Sequence, residues 1–376
     1  MAISRMRLTP LFGIAMWILM TSGCMNESKV ETVSHAVTVA VQPMSKPNEE
    51  MQEVLYQLAR LASQPIVGLT ASEARKQPTM TDAVHALLQS RNESTEPEPV
   101  ARMENRRIAS ADASVRIPIR IYWPQGEGPF PVIVYYHGGG FVIADLDTYD
   151  SSARALTNAA NAIVVSAHYR QGPEFRFPAA HDDAYAAYRW TLAHAEELGG
   201  NPKLVAVAGE SAGGNLAASV AIRARDLRLQ QMPVYQVLIY PITNYAFDSP
   251  SQQQNPDTRP LNTPMLRWFY GKYLSSPADG VKPMFSVMRS DLAGLPPATV
   301  ITADIDPLRS EGEAYAQSLQ AAGVPVDYKN YPGVTHEFFG LGAVLLEARQ
   351  AVDQAADGLR IAFNRRVEYN IAKEPS

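Results

Sequence analysis

Apolar residues recur along this chain at two spacings, one typical of strands and the other typical of helices. Short, nearly continuous apolar runs predict buried strands at 131–136, 162–167, 204–208, 234–240, 298–303 and 326–330. Helical spacing fills the intervals, at 149–160, 180–197, 216–224, 308–322 and 345–363. Because strands that alternate with helices pair in parallel, the pattern predicts an α/β protein with a mostly parallel central sheet and helices on both faces.

The N-terminal part of the chain follows a different pattern. Apolar residues share one helical face between 51 and 62, and a second short helix is predicted at 81–90. A charged, proline-containing linker at 93–99 precedes two strands with alternating apolar residues, near 106–110 and 115–121. We expect these two strands to pair with each other.

Residues 242–290 interrupt the alternation of strands and helices and carry many aromatic side chains. Two interpretations are open: the segment adds to the core, or it forms a lid over a binding site. The second is favoured because the aromatic residues are concentrated in an insertion rather than in the alternating elements.

Composition and charge limit the classes of function. The chain is 46% hydrophobic and 19% charged, as in ordinary globular proteins, and its formal net charge is −5. No Lys/Arg cluster resembles a phosphate-binding stripe, so no nucleic-acid partner is expected. The spacings typical of metal sites, phosphate loops and dinucleotide-binding turns do not occur either. We therefore predict neither a cofactor nor a metal ion.

The only cysteine is Cys24, so no disulfide can form within the chain. Arg5 and Arg7 precede an apolar stretch at 11–20, and small residues lead from there to the cysteine. This arrangement predicts a signal peptide, whose apolar part is too short to span a bilayer comfortably.

The same run resembles a bacterial lipoprotein signal, although Thr21 stands where an aliphatic residue is usual. The resemblance implies removal of residues 1–23 and lipidation of Cys24, with 24–48 as a tether. We expect an exported protein held by its lipidated N-terminus on the periplasmic or cell-surface side of a membrane. The alternatives are a cleaved, secreted protein and an uncleaved N-terminal anchor.

A candidate nucleophile lies between the strand at 204–208 and the helix that follows it. Gly209-Glu210-Ser211-Ala212-Gly213 matches G-x-S-x-G, the nucleophile-elbow pattern, in which a tight turn exposes the serine hydroxyl. Small neighbours let the strand and the helix approach closely. The helix also directs backbone N–H groups and the positive end of its dipole towards the serine.

A serine hydroxyl needs a base to act as a nucleophile near neutral pH. In hydrolases with such an elbow the order along the chain is serine, acid, histidine. Of the seven histidines, only His336 follows Ser211, so His336 is the candidate base. It comes after a segment, 331–335, that we predict to be a loop.

The acid is expected in a loop after an intervening strand. Asp304 and Asp306 both follow the strand at 298–303, and the sequence alone favours Asp306 only slightly. Asp306 also has a purely structural interpretation, as the N-cap of a helix that starts at Pro307.

A glycine run after the strand at 131–136 provides a candidate oxyanion hole. His137-Gly138-Gly139-Gly140-Phe141 leaves backbone N–H groups free to bind a developing oxyanion, and the N–H of Ala212 would be the second source. A flexible turn is the alternative, but two motifs in the required order make it a poor explanation.

Taken together, these motifs resemble the hormone-sensitive-lipase-like esterases of the α/β-hydrolase fold, over about residues 100–363. The matching pieces are His137–Phe141, Tyr169-Arg170, Pro173-Glu174, Gly209–Asn215, 292–297, Asp306-Pro307-Leu308 and the segment around His336.

The resemblance implies a serine carboxylesterase with Ser211 as nucleophile, Asp306 as acid and His336 as base. It further implies Gly139, Gly140 and Ala212 as oxyanion donors, and a small-molecule ester of short to medium acyl chain as substrate. An N-terminal cap at 49–99 would precede a catalytic domain at 100–376 with a cap insertion at 242–290. A homodimer is left open.

Four departures from the family pattern bear on substrate preference and pH response. They are Glu210, Gln171-Gly172, Ser310, and Glu337 in place of the usual glycine after His336. Two alternatives remain open: an amide, thioester or lactone hydrolase with the same triad, and a non-catalytic binding module on the same fold.

Overall fold

The computed structural model describes residues 45–61 and 64–371 of the 376-residue chain. Cys24 and the predicted signal peptide at 1–23 lie outside these residues. Within the described part, eight strands form one sheet in the order β1-β2-β4-β3-β5-β6-β7-β8. The strands are β1 (Arg102–Ala109), β2 (Arg116–Trp123), β3 (Phe130–Tyr136), β4 (Ile163–Ala167), β5 (Gly200–Glu210), β6 (Gln236–Ile239), β7 (Ala298–Ile305) and β8 (Val326–Thr335).

The helices fall into three groups along the chain. Before the sheet come α1 (Glu49–Arg60), α2 (Ala71–Ala74) and α3 (Met80–Ser90). Between strands lie α4 (Asp150–Ala160), α5 (Ala179–His194), α6 (Ala212–Asp226) and α10 (Arg309–Ala321), and α11 (Leu346–Ile371) closes the chain. The insertion carries α7 (Pro250–Gln254), α8 (Thr263–Tyr273) and α9 (Pro277–Gly280). Across the described residues, none of the helices is both long and apolar enough to span a bilayer.

Strand pairing confirms the predicted mostly parallel sheet. β1 pairs antiparallel with β2, and β2 antiparallel with β4, while every other pair is parallel. Val134 at the centre of β3 lies opposite Val165 of β4 and Val207 of β5. All three side chains are fully buried, as expected where helices cover both faces of a sheet.

The two faces of the sheet belong to separate apolar layers. Along β3, Val132, Val134 and Tyr136 pack into the layer that contains α5, α6 and α10. The alternate residues Ile133 and Tyr135 pack into the layer that contains α4, α11, α1 and α3. This division follows from the two-residue period of a strand.

The prediction of a loop at 331–335 is wrong, because β8 runs on to Thr335. Pro332 and Gly333 suggested a loop, since proline cannot donate a ladder hydrogen bond. β8 is an edge strand, however, and one side of its backbone faces no further strand. The carbonyl oxygen of Gly333 instead accepts a hydrogen bond from Asn48 N, which joins the start of α1 to this edge.

Candidate active site

Ser211 lies in a strained turn between β5 and α6. Its φ is +56° and its ψ −117°, a conformation that side-chain-bearing residues rarely adopt. The Ser211 N–H donates to the carbonyl oxygen of Ile239 at 2.9 Å, which fixes the turn against β6. A Cβ on Gly213 would clash with the carbonyl oxygen of Tyr136, so only glycine lets α6 lie this close to β3.

His336 lies between the side chains of Ser211 and Asp306. Its Nε2 is 2.9 Å from Ser211 Oγ, and its Nδ1 is 2.6 Å from Asp306 Oδ2. Because a carboxylate only accepts hydrogen bonds, the proton of the neutral ring belongs on Nδ1. Nε2 is then free to accept the hydroxyl proton of Ser211. The structure thus brings together three residues that are distant in sequence.

The carboxylate of Asp306 contacts both His336 and the turn that precedes α10. Its Oδ1 accepts a hydrogen bond from Leu308 N at 2.9 Å while Oδ2 faces His336. The N-cap interpretation of Asp306 is wrong, because α10 begins at Arg309 with Leu308 as its N-cap and has no side-chain cap. The bond from Leu308 N instead holds the Asp306 carboxylate in the turn before the helix. Asp304, the other candidate acid, instead forms an ion pair with Arg309 at 2.7 Å.

The charge environment of His336 favours its protonated form. Burial lowers the pKa of the imidazole, but the neighbouring carboxylate of Asp306, its hydrogen bond to the ring, and the charges of Glu337 and Glu210 raise it. The net result is a pKa above that of an ordinary histidine. Such an environment stabilises an imidazolium ion, which forms when a histidine takes a proton from serine.

Glu210, next to the nucleophile, is held by tyrosines beneath His336. Its Oε1 accepts from Tyr135 at 2.5 Å and its Oε2 accepts from the hydroxyl of Tyr240. Burial raises the pKa of Glu210. The ring of Tyr240 also lies 4.5 Å, centroid to centroid, from the imidazole of His336, so it limits how far that ring can move.

Two of the three predicted oxyanion residues border the same space as the nucleophile, and the third, Ala212, is its buried neighbour in the chain. Gly139 and Gly140 line the cavity that Ser211 and His336 share. A side chain on Gly140, whose φ is +59°, would clash with the ring of Phe269. Ala212 is the first residue of α6, where backbone N–H groups have no partner within the helix.

Hydrogen bonds of His137 and Tyr169 hold the start of the glycine run in place. Its Nδ1 lies 2.8 Å from the carbonyl oxygen of Gly138, and its Nε2 lies 2.9 Å from Nδ1 of His168. The hydroxyl of Tyr169 donates at 2.9 Å to the carbonyl oxygens of His137 and Gly138. Burial, followed by the neighbouring His168, lowers the pKa of His137 to about 3, so His137 is neutral at physiological pH.

The cavity above Ser211 has a volume of about 570 Å³, in the range of small-molecule sites. Residues from α1–α3 and their connections form one part of its wall, and the insertion around α8 forms another. Trp268 of the insertion donates through Nε1 to the carbonyl oxygen of Leu69 at 3.2 Å, which joins the two parts. The apolar lining includes Leu58, Ile66, Met80, Ile242, Met265 and Phe269.

Two residues that support the site could not be recognised from the sequence. Arg75 donates to the carbonyl oxygens of Val142 and Gly172, each at 2.8 Å. Val142 follows the glycine run closely, and Gly172 follows the Tyr169-Arg170 segment. Asn215 of α6 donates at 2.9 Å to Ile242 O and at 2.7 Å to Phe285 O, so it connects the helix to both ends of the insertion. Asn215 was noted in the sequence only as the last residue of the Gly209–Asn215 motif, and nothing in the sequence indicated a role for Arg75.

No group of three or more His, Cys, Asp or Glu side chains is placed to hold a metal ion within the residues that the structure describes. The carboxylate of Asp306 is occupied by His336 and Leu308 N, and that of Glu210 by Tyr135 and Tyr240.

Comparison with known proteins defines the class to which this fold and site belong. The model of a family with the alpha/beta hydrolase fold matches residues 133–340. The chain belongs to this α/β-hydrolase family.

Several of its relatives are named esterases or ester hydrolases. The chain is 40% identical to carboxylesterase NlhH of Mycobacterium tuberculosis over 277 residues, covering 72% of this chain and 86% of that protein. It is 35% identical to an ethyl acetate hydrolase of Pseudomonas putida over 300 residues, covering 79% and 92% of the two proteins. A hyperthermophilic esterase structure from the archaeon Pyrobaculum calidifontis matches with a TM-score of 0.77 and 38% identity, covering 85% of this chain and 100% of that one. The protein is a carboxylic ester hydrolase.

Proposed function

We propose that the protein is a serine carboxylesterase that cleaves esters of short to medium acyl chains through an acyl-enzyme intermediate. The observation that carries the proposal is the position of His336, hydrogen-bonded to Ser211 on one side and to Asp306 on the other. Buried base and buried acid are aligned with a hydroxyl that borders the cavity.

In the proposed reaction, Ser211 Oγ attacks the ester carbonyl carbon as its proton passes to His336 Nε2. Asp306 keeps the ring in the required tautomer and stabilises the imidazolium. Backbone N–H groups of Gly139, Gly140 and Ala212 would bind the oxyanion, an interaction that typically contributes about 10²–10³ in rate for each donor. His336 then returns the proton to the leaving alcohol, and water releases the acid by the same steps.

The proposed preference for short to medium acyl chains is supported by the limited volume of the cavity, about 570 Å³, and by the apolar side chains in its wall. We further propose that 49–99 and 242–290 act together as a cap, since both contribute to the cavity wall. A cap of this kind would exclude water and limit the length of the acyl chain.

A series of 4-nitrophenyl esters, from acetyl to palmitoyl, tests the proposal with wild type, Ser211→Ala and the control Ser219→Ala. Ser219 lies two turns further along α6 and contributes nothing to the triad. We expect wild type and Ser219→Ala to prefer the shorter chains, and Ser211→Ala to lose about 10⁴-fold or more in kcat. Robust turnover by Ser211→Ala refutes the mechanism, and a palmitoyl optimum refutes the chain-length assignment.

For the N-terminus we propose export and lipidation at Cys24, supported by the run of residues that precedes it. Metabolic labelling with an alkyne-bearing fatty acid, in wild type and in Cys24→Ala, distinguishes a lipidated protein from a secreted one. Labelling of both proteins, or of neither, contradicts the assignment.

A further inference from the structure

Two carboxylates in the cavity wall, those of Asp145 and Glu337, take no part in the proposed reaction. Asp145 is occupied, because its Oδ1 accepts hydrogen bonds from the N–H groups of Asp147 and Thr148 and from the Thr148 hydroxyl. Glu337 follows His336 directly and lines the cavity together with Ser211 and His336. Its Oε1 accepts a long hydrogen bond, 3.3 Å, from the hydroxyl of Tyr149. Among the described residues, Oε2 has no hydrogen-bond partner and the carboxylate forms no ion pair with Lys or Arg.

The backbone of Glu337 is also unfavourable for glutamate. Its φ is +65°, in the left-handed region that glycine adopts readily. For a residue with a side chain this conformation costs about 1–2 kcal/mol. Burial raises the pKa of the Glu337 carboxyl group. A strained acidic residue in a cavity wall is typical of a functional position rather than a structural one. A glycine at this position would remove the strain.

The other polar groups of the wall leave this carboxylate available. Arg75, which also lines the cavity, directs its guanidinium to Glu174 and to the carbonyl oxygens of Val142 and Gly172. Gln171 donates through Nε2 to the carbonyl oxygens of Ile143 and Ala144, so its amide N–H groups are also occupied. Among the described residues, Oε2 of Glu337 therefore lacks a donor from the protein, in the cavity that Ser211 also lines.

On the assumption that the proposed esterase function holds, we infer that Glu337 is a specificity-determining residue whose carboxylate accepts a hydrogen bond from a hydroxyl group of the substrate. The preferred esters would then carry a hydroxyl on the acyl or the alcohol part, close to the scissile bond.

A hydroxyl suits this position better than an ammonium group. His336 becomes a cation when it takes the proton of Ser211, and Glu337 is its neighbour in the chain. A substrate cation bound to Glu337 would oppose that charge, whereas a neutral hydroxyl satisfies the carboxylate without doing so. Desolvating the hydroxyl in a largely apolar cavity would otherwise disfavour binding, so the acceptor decides the preference.

Pairs of esters in which OH replaces CH₃ isolate this interaction. The alcohol side is tested with 2-hydroxyethyl butanoate against propyl butanoate. The acyl side is tested with ethyl 3-hydroxybutanoate against ethyl 3-methylbutanoate. The readout is the ratio of kcat/KM for the hydroxyl ester to that for its methyl partner. Both esters of a pair are measured at the same pH, so that the protonation of His336 affects both members equally.

Four proteins are compared: wild type, Glu337→Gly, Glu337→Gln and Ala113→Gly. Ala113→Gly relieves a left-handed position, φ +57°, in the exposed turn between β1 and β2 and so controls for release of strain. For at least one pair, we expect the ratio to fall about tenfold in Glu337→Gly, as for loss of one hydrogen bond to a charged group. The ratio should fall less in Glu337→Gln, because the amide keeps an acceptor oxygen. The ratio in Ala113→Gly should match that of wild type.

Equal losses on both members of each pair in Glu337→Gly would overturn the inference, since Glu337 would then act only through His336. Ratios within twofold of wild type for both pairs overturn it as well. If wild type hydrolyses none of the four esters, the proposed esterase function itself fails, and this result is distinguishable from an unchanged ratio.

Discussion

Arg75 and Val142, 67 residues apart in the sequence, are joined by a hydrogen bond of 2.8 Å from the guanidinium Nε to the carbonyl oxygen. Val142 follows the glycine run closely, and its own N–H donates to the carbonyl oxygen of Gly139. The position of Arg75 at the end of α2 therefore couples the N-terminal helices to the backbone that would bind the oxyanion.

Removal of this side chain should loosen the glycine run. Arg75→Ala would leave the carbonyl oxygens of Val142 and Gly172 without this donor and Glu174 without its ion-pair partner. Since displacements of about 1 Å can cost about 10²-fold in rate, we expect kcat/KM to fall by about 10- to 100-fold. Steady-state kinetics on a short-chain aryl ester measures the loss. Lys76→Ala, at the adjacent exposed position, is the control. An equal loss of kcat/KM in Lys76→Ala would contradict a specific role for Arg75.

Replacement of the triad acid by its amide should remove catalysis without removing the contact to Leu308 N. In Asp306→Asn the side-chain oxygen can still accept from Leu308 N, but the amide cannot hold His336 in the tautomer with its proton on Nδ1. The corresponding change in serine proteases lowers kcat by about 10⁴, and we expect a loss of that order. Asp304→Asn, which removes only the contact to Arg309, should lose less than about tenfold. A reversed order of the two losses would make Asp304 the acid.

The acidic limb of the pH–rate profile should move when Glu337 is neutralised. A general base must be deprotonated, so activity falls as the pH drops through the raised pKa of His336. Glu337 is one of the charges that raise this pKa, together with Asp306 and Glu210. In Glu337→Gln the pKa should fall, and the limb of kcat/KM should shift to lower pH. Glu196→Gln, at an exposed position, should leave the limb in place. An unmoved limb would show that the carboxylate does not act electrostatically on the imidazole, and a shift to higher pH would contradict the expected sign of its effect.

Glu311 should make the stability of the fold depend on pH. It is buried on α10; Oε1 accepts from Thr243 N at 2.7 Å, while Oε2 has no hydrogen-bond partner among the described residues. Burial raises its pKa to about 8, partly offset by the N–H groups of Thr243 and Asn244. The folded protein therefore keeps a proton that the unfolded chain releases, so this residue's contribution to stability falls as pH rises from about 4.5 to 8.

Glu311→Gln removes the ionisable group and keeps an acceptor for Thr243 N. We expect its Tm relative to wild type to increase between pH 6 and pH 8.5, because wild type alone is destabilised by ionisation. Thermal unfolding at both pH values measures the difference. Glu313→Gln on the same helix serves as the control. A relative Tm that does not change with pH would mean that Glu311 is ionised in the folded protein throughout.

Two glycines in helices offer a matched test of the close approach at the elbow. In Gly213→Ala the added methyl group would clash with the carbonyl oxygen of Tyr136. We expect a loss of several degrees in Tm and of most activity, since Ser211 is two residues away. A methyl group added to Gly271 of α8 would meet no atom within 4 Å, so Gly271→Ala should raise stability by about 0.5–1 kcal/mol. Calorimetry measures the Tm of both variants, and ester hydrolysis measures their activity. An active, stable Gly213→Ala would contradict the packing account.

Features that depend on neighbouring residues could be predicted from the sequence, whereas features that depend on contacts between remote segments could not. The α/β class followed from local periods, because an apolar run and an amphipathic helix each indicate the face that must be buried. His336 could be selected because one histidine alone follows Ser211 in the chain. The end of β8 was misjudged, since the tolerance of Pro332 depends on that strand lying at the edge of the sheet.

The sequence by itself determined the strand–helix order, the turn at Ser211 and the short group of candidate partners, because these depend on neighbouring residues and on their order. Only the tertiary structure decided that Asp306 faces His336 while Asp304 turns to Arg309. It alone also placed Arg75 against the glycine run and Glu337 in the cavity wall. The physical reason is that the direction of a side chain at the end of a strand depends on how remote segments pack around it, which no local pattern records.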